Sequence, residues 1–165
     1  MRTLAPSIIS AFGAALLLSA SVQAVDLSQQ TPIEIRVDMG KAGSASNDPQ
    51  GHRYFPEKLT LETGKLYRLV LHNPSNSAHY FFSNDLAAKV WTRKAQVMDE
   101  VGSSRKAIAE IKGVTREIEV YPGGTAEWWF VPVAAGTITD VICTIKEQDG
   151  RTHAEHGMRA SVVIN

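Results

Sequence analysis

The chain has 165 residues, with 17 basic and 17 acidic side chains in balance, five histidines and one cysteine. That balance excludes the basic footprint of a nucleic-acid binder. The single cysteine excludes an intrachain disulfide framework, and no segment beyond Ala24 is long and apolar enough to anchor the chain in a bilayer.

Residues 1–24 read as a secretory signal. Arg2 precedes an apolar stretch through Leu16, Leu17 and Leu18, and Val22 and Ala24 supply the small residues of a cleavage site. Cleavage there leaves 25–165 as a single domain, expected to be exported and soluble in the periplasm. Ile33 to Met39 alternates apolar and polar residues, the period of a half-buried strand. Residues 40–51 are rich in Gly, Ser, Asn and Asp and read as a loop. Tyr54-Phe55-Pro56 leads into Leu59-Thr60-Leu61; after the turn Glu62 to Lys65 the chain returns as a strand through Leu66 to Leu71.

Asn73 to Ser77 forms a second turn cluster before His79-Tyr80-Phe81-Phe82. Ser83, Asn84 and Asp85 can cap one short helix, with Leu86 and Val90 on its apolar face. Residues 92–113 give a mixed signal, with a short strand near Val97 and a charged stretch from Ser103 to Lys112. Strand signals resume at Val114 to Tyr121, Thr125 to Val131, Thr137 to Ile145 and Ala160 to Ile164, separated by Gly and Pro turns. On the third of these regions' predecessor, Trp128 and Trp129 alternate, so one is expected in the core and the other outside. Together these elements predict an all-β, Greek-key sandwich of about seven to eight strands with a short helical insert.

Cys143 calls for explanation, because a lone thiol in an oxidising compartment has no partner within its own chain. It is either a small buried hydrophobe or a thiolate ligand. His153, His156 and Met158 follow it closely, and a thiolate with imidazoles and a weak thioether describes a blue-copper ligand set. His79 beside three aromatic residues is either a strand-end histidine or a ligand. His52 and His72 fit no ligand spacing and read as structural or surface residues.

Two halves of the chain resemble the cupredoxins. The first is Tyr54-Phe55-Pro56, Leu59-Thr60-Leu61, Gly64, Leu69 to Asn73 and His79-Tyr80-Phe81. The second runs from Glu119-Val120 through Pro122-Gly123, Phe130 and Ala135-Gly136-Thr137 to Cys143 and His153-Ala154-Glu155-His156-Gly157-Met158. The resemblance covers nearly all of 25–165 except an insert at about Asp85 to Lys112. It implies one copper ion, cycling between Cu(I) and Cu(II), with His79, Cys143, His153 and Met158 as its ligands. It also implies single-electron transfer to a redox partner protein rather than enzymatic turnover. No acid–base pair, nucleophile triad or phosphate loop elsewhere suggests an enzyme. A copper carrier or store that hands the ion to a copper-accepting protein, and a metal-free interaction domain, are the alternatives.

One departure stands out. Nine residues, Thr144 to Thr152, separate Cys143 from His153, a much longer spacer than cupredoxins usually have. Asp149-Gly150 predicts a two-residue hairpin in which Gln148 faces Arg151. That register would put His156 on the face of Cys143, making it a rival to His153. The His153 to Met158 spacing fits the family better, with 146–151 bulging out as an extension of the loop.

Overall fold

A computed structural model of the chain describes residues 29–44, 48, 51–101 and 104–165. The signal segment 1–24 lies outside the described residues. Two mixed β-sheets pack face to face around one apolar core. In chain order the strands are β1 (Ile33–Met39), β2 (Tyr54–Phe55), β3 (Lys58–Leu61), β4 (Tyr67–His72) and β5 (His79–Phe82). Helix α1 (Asn84–Lys89) follows, then β6 (Val90–Val101), β7 (Ser104–Ile111), β8 (Glu117–Val120), β9 (Thr125–Pro132), β10 (Gly136–Ile142) and β11 (Arg159–Ile164). One sheet runs β2-β1-β4-β9-β6-β7 and the other β3-β11-β10-β5-β8.

The core forms where period-two alternation turns one face of the central strands inward. Leu69 and Leu71 of β4, Trp128 and Phe130 of β9, and Ile138 and Val141 of β10 meet Phe81, Val162 and Ile164 in one cluster. Trp128 is buried, as expected for one of the tryptophan pair. Trp129 lies on the outer face, where the Lys94 ammonium sits 4.8 Å from its ring centre.

The eleven described strands exceed the expected seven to eight, chiefly because of the insert. The short helix is present, with Ser83 Oγ accepting from the Leu86 amide as its N-cap. The rest of the insert is a long antiparallel hairpin, β6–β7, rather than a short strand and an irregular charged stretch. β7 is exposed along its whole length, so it carries no buried face and no hydrophobic alternation to read. Cross-strand charge supports it instead, with Lys94 3.2 Å from the Glu110 carboxylate.

Strand order in the second sheet positions the candidate site. β10 lies between β5 and β11, and Ile142 is in register with both Phe82 and Arg159. Running one residue past β10 therefore brings Cys143 beside Phe81 of β5 on one side and Met158, the residue before β11, on the other. The Tyr80 amide donates to Cys143 Sγ at 3.3 Å, and the Cys143 amide donates to the Met158 carbonyl at 3.3 Å.

Candidate metal centre

Three buried side chains converge at this end of the sandwich: His79 from the first position of β5, Cys143 just after β10, and His153 from the loop before β11. His79 Nδ1 is 3.1 Å from His153 Nδ1, and Cys143 Sγ is 3.3 Å from the same His153 nitrogen. Met158 is wholly buried in the core cluster, and its amide donates to the His153 carbonyl at 2.8 Å. His156 does not join this group. Its Nε2 lies 3.1 Å from the Asp149 carboxylate, and its ring stacks on His52.

Loop geometry explains why His153 rather than His156 reaches Cys143. The spacer does form a hairpin arm, but its turn holds three residues, Gln148 to Gly150, not two. Glu147 faces Arg151, with the Glu147 amide donating to the Arg151 carbonyl at 2.8 Å, and Lys146 bridges to Thr152. The Gly150 amide closes the turn on the Glu147 carbonyl at 3.0 Å, and Gly150 adopts φ +80°, the left-handed last position of a three-residue loop. One added turn residue shifts the register by one and exchanges the faces of everything beyond. The His153 amide consequently pairs with the Ile145 carbonyl.

The proton positions follow from the hydrogen-bond network, assigned from the partners of each group. Asn73 is buried, and its Nδ2 donates to the carbonyls of Ser77 (2.7 Å) and Val120 (2.8 Å). This fixes Asn73 Oδ1 as an acceptor, which takes the Ser75 hydroxyl at 2.7 Å. Ser75 Oγ, its hydrogen committed, accepts from His79 Nε2 at 2.9 Å. His79 Nδ1 is then a bare lone pair. On the other side, His153 Nε2 donates to Glu147 Oε1 at 2.8 Å, leaving His153 Nδ1 bare as well.

Two imidazole lone pairs thus face each other across 3.1 Å, with the Cys143 thiol beside them. A cation held by the three atoms would relieve that repulsion, so the residues fit a metal with a taste for nitrogen and sulfur. Electrostatics favours the neutral rings. Burial, with smaller contributions from His153 and His52, pushes His79 down to about 3. Burial also lowers His153, against the opposing hydrogen bond from Glu147. Burial raises the Cys143 thiol to about 11, partly offset by the amides of Tyr80 and Ile145. A protein without metal keeps that thiol protonated, and only a strong local charge makes it a thiolate.

Sequence reasoning missed three participants. His52, read as a structural or surface histidine, is buried with its ring centre 4.1 Å from that of His153, and its Nε2 is 3.9 Å from Glu147 Oε1. Ser75 and Glu147 hold the outer nitrogens of the two histidines. The hairpin signal at Asp149-Gly150 was the one available clue that Glu147 folds back over the loop. His72, by contrast, sits away from the group with Nδ1 at 2.9 Å from Thr125 Oγ1, a structural role.

A two-sheet sandwich with a buried His–Cys–His group at one end defines the class. No protein-family model and no curated protein matches the chain. Among solved structures, a multicopper oxidase from Campylobacter jejuni, described as a metallo-oxidase, superposes with a TM-score of 0.55 at 13% identity, over 92% of this chain and 34% of its own. A multi-copper oxidase from Pediococcus acidilactici gives 0.52 at 18% identity, over 92% and 30% respectively. This chain spans about a third of the length of each oxidase. Reduced auracyanin from Roseiflexus castenholzii aligns at 20% identity over 80% of this chain and 96% of its own, with a TM-score of 0.47. The fold is that of a cupredoxin-like β-sandwich.

Proposed function

We propose that residues 25–165 are an exported, periplasmic cupredoxin domain that holds one copper ion and passes single electrons to a redox partner protein. In this reading His79 Nδ1, Cys143 Sγ and His153 Nδ1 would hold the ion, with the Met158 thioether as a further, weaker ligand. The carrying observation is the pair of buried histidine Nδ1 atoms 3.1 Å apart beside a buried thiol. Copper there supplies a one-electron couple that a thiolate and two imidazoles support in both oxidation states.

The chain's own residues do the rest. Ser75, held by Asn73, keeps the His79 ring turned with Nδ1 inward. On loading, the Cys143 thiol would release its proton to solvent, and the Tyr80 amide, which donates to Sγ, would stabilise the thiolate. Enclosure by the sandwich keeps bulk water off the three donors. No open coordination position is implied, so the reading assigns no substrate turnover. A copper carrier that delivers the ion to an accepting protein is the second reading, supported by His52 and Glu147 standing beside His153 as further donors.

The test is the visible spectrum of the mature protein titrated with Cu(II), alongside Cys143→Ser, His153→Ala and His156→Ala. We expect an intense thiolate charge-transfer band in the wild type and His156→Ala, absent in Cys143→Ser and His153→Ala. A wild-type protein without the band, or a Cys143→Ser protein that keeps it, removes the electron-transfer reading. Release of copper to an acceptor without redox cycling favours the carrier.

A further inference from the structure

The outer nitrogens of the two histidines have unlike partners. His79 Nε2 meets a neutral hydroxyl, whereas His153 Nε2 meets a carboxylate. That carboxylate belongs to Glu147, within the nine-residue spacer that sets this chain apart. The arm carrying it is pinned at several points. Lys146 bridges to Thr152, the Glu147 amide donates to the Arg151 carbonyl, and Asp149 Oδ1 accepts from the Arg151 amide at 2.9 Å. Beyond the arm, the Glu155 carboxylate takes both the amide and hydroxyl of Thr152. Glu147 is therefore presented to His153 by a defined backbone. The ring it meets is 1% exposed, and the Glu147 side chain is 21% exposed.

We propose that Glu147 is the positioning residue for His153, and that the lengthened spacer exists to deliver it. The proposal rests on the copper reading above. By accepting the Nε2 hydrogen, Glu147 selects the tautomer with a bare Nδ1 aimed at Cys143 and His79, and it stops the ring from turning. Its negative charge also makes the imidazole a stronger donor, which favours Cu(II) over Cu(I). His52 packs against the same ring at 4.1 Å and closes the other side. A spacer without the arm would leave His153 Nε2 with no carboxylate at all.

Two variants test this, Glu147→Gln and Glu147→Ala. Glutamine keeps the shape and an acceptor oxygen but removes the charge; alanine removes both. In the metal-free protein, nitrogen NMR of the His153 ring should report the Nε2-protonated tautomer in wild type and Glu147→Gln, and a mixture of tautomers in Glu147→Ala. In the loaded protein, Glu147→Ala should weaken Cu(II) relative to Cu(I) by roughly tenfold, which raises the reduction potential by about 59 mV. Glu147→Gln should lie between. All three proteins should keep the thiolate band.

Unchanged tautomer and potential in both variants overturn the proposal while leaving the copper site standing. Binding of a second Zn(II) that needs both Glu147 and His52 also overturns it, by making the carboxylate a ligand in its own right. A wild-type protein with no thiolate band fails earlier, at the copper reading itself.

Discussion

Acid should destabilise the metal-free protein through His79. Its ring is wholly buried, and burial with the neighbouring His153 and His52 holds it to about 3, against an ordinary value of 6.5. Above pH 6.5 folded and unfolded chains both carry a neutral ring, and the group contributes no pH dependence. Between 6.5 and about 3 the unfolded chain binds a proton that the native chain refuses, so stability falls as pH falls. The loss approaches about 1.4 kcal/mol for each pH unit below 6.5, or roughly 3 kcal/mol two units down. That is a large part of the 5–15 kcal/mol typical of a domain. Urea midpoints of metal-free residues 25–165, measured at intervals from about pH 7.5 to 4.5, would show it against His79→Gln. Glutamine can still donate to Ser75 but does not titrate, so the wild type should show the steeper slope. His153, also lowered by burial, and the carboxylates account for the slope that remains. Equal slopes in the two proteins would refute the reasoning.

Two more perturbations probe the same end of the fold. Asn73→Ala takes the Asn73 partner from the Ser75 amide and the Val120 carbonyl, while the Ser75 hydroxyl and the Ser77 carbonyl keep each other at 3.2 Å. At about 1–3 kcal/mol for each buried group left unpaired, with some regained from water, we expect a loss of roughly 3 kcal/mol in urea denaturation. Met158→Ala should cost about 2–5 kcal/mol through the cavity it leaves. Met158→Leu should cost less than about 1.5 kcal/mol yet still move the copper spectrum if the thioether is the axial ligand; an unchanged spectrum would return Met158 to the core alone.

Legibility followed the presence of a buried face. β1, β4 and β9 were readable because alternate residues such as Val37, Leu69 and Trp128 must leave water, and that need is written at period two. The β6–β7 hairpin was not. β7 buries nothing, and β6 breaks its period with bulges near Thr92 and Val97. At the candidate metal centre, His79, Cys143 and His153 stood out through residue chemistry and their resemblance to a known pattern. His52 and Ser75 lie in loops where neither spacing nor periodicity constrains them, and only the packed chain brings them to the histidines. Glu147 is an intermediate case. Its hairpin was legible, but a one-residue difference in turn length decided which side chains face inward.

That turn also answers how a long spacer serves a compact centre. A flexible nine-residue loop between two ligands would leave His153 many positions to sample, at an entropic cost on closing the site. Here the bridge from Lys146 to Thr152 folds most of the added length into an arm that closes on itself. Only Thr144 and Ile145 run from Cys143 to the base of the arm, and the chain emerges at Thr152 directly before His153. The His153 amide bonds back to the Ile145 carbonyl, and the Ala154 amide to the Cys143 carbonyl. From the viewpoint of the three donors the spacer is therefore short. Its extra residues can be spent on what hangs over the outer edge of His153 without loosening what lies beneath it.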